Sequence, residues 1–242
     1  MVGKPLAPVG RKRLSLVNRR LQPRQPSSGA PPISAPTNVL IREVRTREEK
    51  EKLYRYRYLM SSAGIDRPHR QANDSYKRIK DDLDNNAVNI VARHQSEIVG
   101  AVRINHAWRC ALGIHADFYR MREIAGTDHP ARTCVVSRLL VHPAFRHDAL
   151  GYRLCAAAYK HALTHDARFA FLHCEDDLIY YFSVLGFKAY MGRTLLREFG
   201  EVIPMKLDLL DEQYLMRIGS PLLPVLRGWK QSKQACVKVV PA

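Results

Sequence analysis

Charged residues at short spacings are the first sign of chemistry in this chain. Arg57 follows Leu53 by four residues, on the apolar face of a helix predicted from Arg47 to about Ser62. A charge on a buried face is costly unless it is paired, so Arg57 requires a carboxylate or a ligand. Asp81 and Asp84, three residues apart, could share one helical face and attract an ammonium group, or form an ordinary surface pair.

Two groups that could accept a proton stand near the end of a predicted strand, Phe169–Cys174. They are Glu175 and His173, and a carboxylate or an imidazole can act as the base for an attacking amine. We predict Glu175 as the catalytic base. The alternative is that Glu175 only stabilises the start of the next helix, where acidic residues are favoured.

A turn rich in backbone N–H groups joins a strand predicted over Thr133–Val141 to an Ala-rich helix predicted over Leu150–Ala167. The turn runs from Arg146 through Ala149 to Gly151. A strand that enters a helix through such a turn offers unpaired N–H groups and the positive end of the helix dipole, which suits phosphate or amide ligands.

The remaining elements suggest a sheet covered by helices. Val88–Ala92 and Ile98–Ile104 predict a hairpin. Apolar residues from Leu207 to Ile218 predict an amphipathic helix near the C-terminus. We predict three regions: a disordered, basic, Pro-rich tail (1–38), a catalytic domain (39–205) and a helical extension (206–242).

Composition limits the function classes. The net charge is +16 in 242 residues, and the ends, 1–38 and 213–242, hold seven and five Lys or Arg residues without an acid. Basic ends suit an acidic partner: a carrier protein, an anionic membrane surface or nucleic acid. Few aromatics, Trp229 among them, interleave with these basic residues, which argues against nucleic acid. Five scattered cysteines and no long apolar run predict a cytoplasmic protein without disulfides, and we predict no metal site.

The strand, the turn and the helix, followed by Leu185-Gly186-Phe187, resemble the GNAT acyltransferase superfamily. This resemblance implies an α/β (α+β) fold: a mixed, mostly antiparallel sheet, with central strands that part after Ser137 and helices on both faces. It also implies that backbone groups of Leu140 and Val141, together with the turn, hold an acyl thioester. Ala149 stands where glycine is common, and an alanine limits positive φ, which weakens the grip on a coenzyme A pyrophosphate.

The superfamily also implies an acid for the leaving thiolate. A tyrosine is usual three residues before the Leu of Leu-Gly-Phe, and here that place is Phe182. We therefore assign the role to Tyr181, with Tyr180 as the alternative.

A narrower resemblance covers roughly residues 39–190. The chain is similar to acyl-homoserine-lactone (autoinducer) synthases and long-chain N-acyl amino acid synthases in a series of short motifs: Leu53-Tyr54-Arg55-Tyr56-Arg57, Asp81-Asp82-Leu83-Asp84, Gly100-Ala101-Val102-Arg103 and Ser137-Arg138. In that family the arginines and the aspartate pair form a charged cluster beside the acceptor amine. The resemblance implies substrate binding by Arg57, Asp81, Asp84, Arg103 and Ser137, and a catalytic role for Arg138.

One departure separates this chain from lactone synthesis. Lactone-forming members usually carry a glutamate three residues before the arginine of Ser-Arg, and here Val135 has that place. We expect transfer of a long acyl group from an acyl carrier protein or coenzyme A thioester to the amine of an amino acid or a similar small molecule, with no tightly bound cofactor. The alternatives are an acetyl-coenzyme A-dependent acetyltransferase of a small amine or protein, and a non-catalytic basic adaptor that contacts a membrane or nucleic acid.

Overall fold

A computed structural model describes residues 38–62, 72–110, 112–146, 149–196 and 199–237. The predicted tail, apart from Asn38, lies outside the described residues. This part of the chain contains ten strands and seven α-helices. The strands are β1 (Val39–Glu43), β2 (Ala72–Asn73), β3 (Arg78–Ile79), β4 (Val88–His94), β5 (Glu97–His106), β6 (Thr133–Val141), β7 (Phe169–Cys174), β8 (Lys188–Ala189), β9 (Thr194–Leu196) and β10 (Gly200–Asp208). The helices are α1 (Arg47–Ser62), α2 (Ile114–Phe118), α3 (Met121–Ala125), α4 (Leu150–Thr164), α5 (Ile179–Leu185), α6 (Glu212–Arg217) and α7 (Leu223–Val237).

The main sheet has the order β1-β4-β5-β6-β7-β10-β8, with β9 paired to β10. Its neighbours pair antiparallel except β6 and β7, which are parallel. This arrangement confirms the predicted mixed, mostly antiparallel sheet. Strands β2 and β3 form a separate small ribbon.

Helices cover both faces of the sheet, as predicted. On one face, α4 to α7 pack on the larger core, in which Ile90 and Ile104 are buried. On the other face, α1 packs through Leu53 against Val91, and α2 and α3 cover Phe171. Since successive side chains of a strand point to opposite faces, Ile90 and Val91 of β4 serve different cores.

Helix α1 begins at a capping box. The cap fixes where the helix starts and therefore which of its side chains, Arg57 among them, face the sheet. The backbone N–H of Glu49 donates to Thr46 Oγ1 (3.2 Å), and the Glu49 carboxylate accepts from the backbone N–H groups of Arg45 (2.9 Å) and Thr46 (3.2 Å). Such caps satisfy N–H groups that the first turn leaves unpaired.

Strands β6 and β7 pair only at their beginnings. The paired residues are Thr133 with Phe169, Cys134 with Ala170 and Val135 with Phe171. The last six residues of β6 and the last three of β7 continue past this ladder. The predicted parting of the central strands is confirmed, and it begins two residues earlier than Ser137.

The C-terminal region differs from its prediction in one respect. Leu207 lies in β10, which pairs with β7 over residues 203–208, and not in a helix. A strand therefore runs through the predicted boundary at 205/206. The prediction followed the helical spacing of Leu207 with Ile218, whereas the pairing with β7 is a contact between distant segments.

Helix α7 packs on the domain. Leu226 is completely buried in the main core. The basic side chains of this helix form ion pairs within the chain: Arg227 (2.9 Å) and Lys230 (2.6 Å) with Glu212, and Lys233 with Asp166 (2.8 Å). Much of the C-terminal positive charge thus has an intramolecular partner.

Two further expectations concern solubility and thiols. No helix in the described part of the chain is long and apolar enough to cross a membrane. Four cysteines are free and buried: Cys110, Cys134, Cys155 and Cys174.

Candidate active site

A row of polar side chains crosses three neighbouring strands on the face that carries α1. Asn89 of β4 lies opposite Arg103 of β5, and Arg103 lies opposite Ser137 of β6. Arg103 Nε donates to Ser137 Oγ at 3.0 Å. Arg103 and Asn89 are buried, so the sheet holds this row rigidly away from water.

A β-bulge adds Arg138 to the same cluster. The β5–β6 register shifts by one residue between the pairs Ala101–Leu140 and Arg103–Ser137, and Arg138 has a left-handed φ of 57°. Consecutive residues of a regular strand point to opposite faces, but a bulge redirects one of them. Arg138 Nη2 consequently reaches Asp81 Oδ2 at 2.5 Å while Ser137 contacts Arg103.

The two aspartates belong to a single 3₁₀ turn, Asp82–Asn85, and not to an α-helix. Asp81 caps the start of this turn and Asp84 lies within it. The Asp81 backbone N–H donates to Asp84 Oδ2 (3.0 Å), so the turn is closed by its own carboxylate. Arg57 Nη1 binds both oxygens of Asp84, at 2.9 and 2.8 Å, and Arg57 Nη2 donates to Asn89 Oδ1 at 2.7 Å. Arg57 thus has the carboxylate partner that its buried position requires.

Arginines outnumber aspartates in the cluster. Three guanidinium groups (Arg57, Arg103, Arg138) contact two carboxylates (Asp81, Asp84), and each of these five side chains is at most 6% exposed. Burial by itself raises the pKa of Asp81, but Arg103 and Arg138 outweigh it and hold the pKa below its usual range. Burial lowers the pKa of Arg57 to about 10, against the opposing effect of Asp84.

His173 lies beside the cluster on the same face. Its Nδ1 is 2.7 Å from the hydroxyl of Tyr119, and its ring centroid is 4.9 Å from that of Phe199. The Arg138 guanidinium lies 5.9 Å from the centre of the same Phe199 ring. Burial raises the pKa of Tyr119, so its phenol stays protonated and fixes the orientation of the imidazole.

Glu175 follows β7 and lines a different cavity. That cavity has a volume of about 350 Å³ and is also lined by Asp176, Asp177, Arg193 and Glu201, so that acidic groups outnumber basic ones. His173 lies on the face of the sheet that carries the cluster, and Glu175 lies one residue past the end of β7, at this cavity. Glu175 stays the predicted base, with His173 as the alternative.

The gap between β6 and β7 exposes backbone groups of β6. The His142 N–H donates to Val99 O of β5 at 2.8 Å. Because the direction of N–H groups alternates along a strand, the N–H of Leu140 also faces β5 and that of Val141 faces the gap. Val141 O accepts from Arg146 Nε (3.2 Å), which draws the turn onto the strand. Of the two predicted backbone donors, Val141 is the one turned to the gap.

The turn before α4 keeps its left-handed residue despite the alanine. Ala149 has φ 51° and ψ 14° at the start of α4. Ala149 therefore adopts the positive φ that glycine would reach without strain, and the weaker grip on a coenzyme A pyrophosphate stays a prediction. His147 and Asp148, also within the turn, lie outside the described residues.

Tyr181 points its hydroxyl at the start of α4. A Cβ placed on Gly151 would lie 2.6 Å from this hydroxyl oxygen, so glycine gives the phenol its space. The ring of Tyr181 stacks on Tyr152 with centroids 4.7 Å apart. Burial raises the pKa of Tyr181. The alternative, Tyr180, is 56% exposed, so of the two tyrosines Tyr181 is the one that lies against the start of α4.

An apolar cavity opens on the opposite face of the gap. It lies between the sheet and α4, has a volume of about 20 Å³, and is lined by residues that include Val136 of β6, Leu172 of β7 and three alanines: Ala158, Ala162 and Ala170. Val136 neighbours Ser137 on β6 and points to the other face. The gap between the strands therefore separates a charged side from an apolar side.

Three residues of this site were not predicted: Asn89, Tyr119 and Phe199. Asn89 carries a weak signal, since it is polar within an otherwise apolar strand, Val88–Ala92. Tyr119 and Phe199 come from irregular segments that carry no such signal. Val135, which replaces the glutamate of lactone-forming relatives, is buried in an apolar cluster.

Comparisons with known proteins agree with this geometry. The family model described as N-acyl amino acid synthase FeeM matches residues 51–208. A comparison with curated sequences found no match. Among solved structures, FeeM, an N-acyl amino acid synthase from uncultured soil microbes, is 12% identical with a TM-score of 0.57, over 77% of this chain and 97% of that chain. BjaI, a coenzyme A-dependent acyl-homoserine lactone synthase, is 18% identical with a TM-score of 0.59, over 78% of this chain and 98% of that chain. MesI, described in the same words, is 19% identical with a TM-score of 0.57, over 74% and 95%.

Proposed function

The chain belongs to the FeeM family of N-acyl amino acid synthases, and from this premise we propose that it joins an acyl group to the amine of an amino acid. Membership makes the protein an N-acyltransferase. The proposal concerns its acceptor, its donor and the residues that act on them.

The observation that carries the proposal is the cluster of three arginines beside the strand gap. An amino acid has a carboxylate next to its amine. Buried arginines at the bulge of β6 suit that carboxylate, since arginine binds carboxylates through two parallel hydrogen bonds. Arg138 is our candidate for the contact, with Arg103 and Ser137 behind it. Arg57 and Asp84 hold the cluster in place.

The reaction then follows from the position of the gap. The acceptor amine attacks the thioester carbonyl carbon, a C–N bond forms, and the carbonyl oxygen gains negative charge that the Val141 N–H can stabilise. The base, His173 or Glu175, takes a proton from the amine. The C–S bond breaks, and the thiolate leaves with a proton from Tyr181. The products are an N-acyl amino acid and a free thiol.

The donor is an acyl thioester on a carrier protein or on coenzyme A. Ala149, which precedes α4, has the left-handed conformation that a phosphate-binding turn uses, and this supports either donor. The name of BjaI records a coenzyme A donor for that relative. A basic N-terminal segment supports an acidic carrier protein, whereas the basic residues of α7 are occupied by Glu212 and Asp166.

We propose that the acyl chain enters the apolar cavity beside Val136. A volume of about 20 Å³ holds little more than one water molecule, so a long chain requires Phe182 and its neighbours to move. A short acyl group requires no such movement, and this observation favours a second candidate, a coenzyme A-dependent acetyltransferase.

Purified protein tests acceptor and donor together. Acyl carrier protein and coenzyme A thioesters with two to sixteen carbons (roughly the range from acetyl to long-chain groups) are incubated with amino acids and with their methyl esters, and products are measured by mass spectrometry. We expect long-chain N-acyl amino acids and much weaker use of the esters, because an ester lacks the negative charge that Arg138 binds. Equal use of acid and ester would refute the carboxylate contact, and activity restricted to acetyl-coenzyme A would establish the second candidate.

Variants assign the roles. Arg138→Gln should raise KM for the amino acid and leave KM for its ester unchanged, and Arg138→Lys should restore part of the loss. His173→Asn and Glu175→Gln separate the two bases by their effect on kcat. Ala158→Leu should shorten the preferred acyl chain, and Ala157→Leu, one residue away on α4 and outside the lining of the cavity, is the matched control.

A further inference from the structure

Three histidines meet between the sheet and the C-terminal end of α4, on the face opposite the arginine–aspartate cluster. His106 ends β5, His161 lies in the last turn of α4, and His165 directly follows that helix. One coordinating nitrogen from each lies within 4.8 Å of the others. The ring centroids of His161 and His165 are 4.0 Å apart, and each lies 5.4 Å from that of His106.

Two of the rings are already oriented by hydrogen bonds to Nδ1. His161 Nδ1 lies 2.8 Å from Glu43 Oε1, at the end of β1, and His165 Nδ1 lies 2.9 Å from the backbone oxygen of His161. Both bonds leave Nε2 as the coordinating nitrogen. A carboxylate or a backbone carbonyl on the other ring nitrogen is the usual second contact of a metal-binding histidine.

His106 supplies an independent observation. It is only 2% exposed, and neither of its ring nitrogens has a hydrogen-bond partner within the described residues. The same holds for His161 Nε2. A buried polar group without a hydrogen-bond partner costs free energy. The His106 imidazole lies between two other imidazoles, and a ligand bound to its ring nitrogen would remove that cost.

We propose that His106, His161 and His165 bind one divalent transition-metal ion, Zn²⁺, with water at the fourth position on the solvent side of His165. Zn–N distances of about 2.0–2.1 Å place tetrahedral ligand atoms roughly 3.3 Å apart, so the rings need to close by about 1.5 Å at most. Imidazole ligands suit zinc, and three of them leave one position open. Glu43 offsets part of the metal charge, and Arg109 opposes it.

The ion would join β5 to α4 and, through Glu43, to β1. None of the three histidines, nor Glu43, belongs to the candidate active site, so the inference does not depend on the proposed function. We had predicted no metal site. The spacing His161-x-x-x-His165 places two imidazoles on one face of a helix and is the signal in the sequence for this site.

Zinc binding to the full-length chain without a histidine tag tests the proposal. Metal-free protein is titrated with Zn²⁺ against a chromophoric chelator, and bound metal is counted by mass spectrometry. We expect one Zn²⁺ per chain and a rise in melting temperature. Glu43→Gln should weaken binding about 10- to 100-fold, the usual loss when such a second contact is removed.

Ligand variants decide the outcome. His165→Ala removes an exposed ligand, and His106→Leu replaces a buried polar ring by an apolar side chain, so both should fold and neither should gain stability from Zn²⁺. His115→Ala, on the distant helix α2, is the matched control and should bind zinc as the wild type does. Trp108 lies 5.9 Å from His106, so Co²⁺ should quench its fluorescence in a Trp229→Phe background. Less than one ion per chain, or binding that survives both His165→Ala and His106→Leu, would overturn the proposal.

Discussion

The contact between Gly151 and Tyr181 gives a prediction whose sign depends on one oxygen atom. In Gly151→Ala, the new Cβ lies 2.6 Å from the Tyr181 hydroxyl oxygen, 3.5 Å from its Cζ and 3.7 Å from Val141 Cγ2. The last two distances are ordinary contacts. The first requires the phenol to move, although it is stacked on Tyr152 with its hydroxyl buried.

The expected magnitude follows from two opposing effects. Overpacking a rigid site costs about 1–3 kcal/mol. Replacing glycine by alanine in a helix gains up to about 1 kcal/mol. We therefore expect Gly151→Ala to lower the free energy of unfolding by about 1 kcal/mol in the wild type. In a Tyr181→Phe background the clash is absent, and the same change should stabilise by about 0.5–1 kcal/mol.

A double-mutant cycle measured by urea unfolding tests this sign reversal. Gly228→Ala is the matched control, since Gly228 lies in α7 with no atom within 4 Å of its added Cβ, and it should stabilise both backgrounds equally. An equal effect of Gly151→Ala in both backgrounds would refute the steric argument. Single-turnover rates of the Tyr181→Phe enzyme report separately on the phenol as the acid for the thiolate.

Three further perturbations test other parts of the structure. Glu49→Gln should cost about 1 kcal/mol at pH 6 by urea unfolding, since the carboxylate caps α1. The hydrogen bond with Arg42, aided by two backbone N–H groups, lowers the pKa of Glu49 from 4.5 to about 2. The stabilisation by the Glu49 carboxylate is therefore present above pH 4.5 and is lost as pH falls towards 2. A difference in unfolding free energy between wild type and variant that persists at pH 2 would contradict the assignment. Ala149→Gly should raise the free energy of unfolding by about 0.5–1 kcal/mol, because alanine is strained at positive φ, and an unchanged or lower value would mean that the turn is not strained. Arg57→Met should lower it by about 3–5 kcal/mol by leaving Asp84 buried without its main partner, and a loss below about 1 kcal/mol would show that the pair is not essential to the cluster.

Local sequence patterns predicted much of the fold. The hairpin β4–β5, the strand β6 and the helix α1 lie where alternation or helical spacing predicted them. The strand β10 did not, because its pairing with β7 is a contact between distant segments. The helical spacing of Leu207 with Ile218 favoured a helix when the sequence was considered without those contacts.

The sequence motifs predicted the residues of the candidate site but not their arrangement. The motifs identified Arg57, Arg103, Arg138 and the aspartate pair. The sequence did not indicate how His173 and Glu175 lie relative to the cluster, because this depends on the register between β7 and its neighbouring strands. The histidine site was missed because His106 is separated from the other two by more than fifty residues of chain.

The sequence by itself determined the residue types, the order of elements and the likeness to an acyltransferase family, because these depend on neighbours along the chain. Only the tertiary structure decided that a one-residue bulge turns Ser137 and Arg138 to the same side, that β6 and β7 part after three residue pairs, and that three arginines meet two aspartates in one buried cluster. The physical reason is that register, burial and charge balance are properties of contacts between distant segments, and a local pattern carries no information about which distant segments meet.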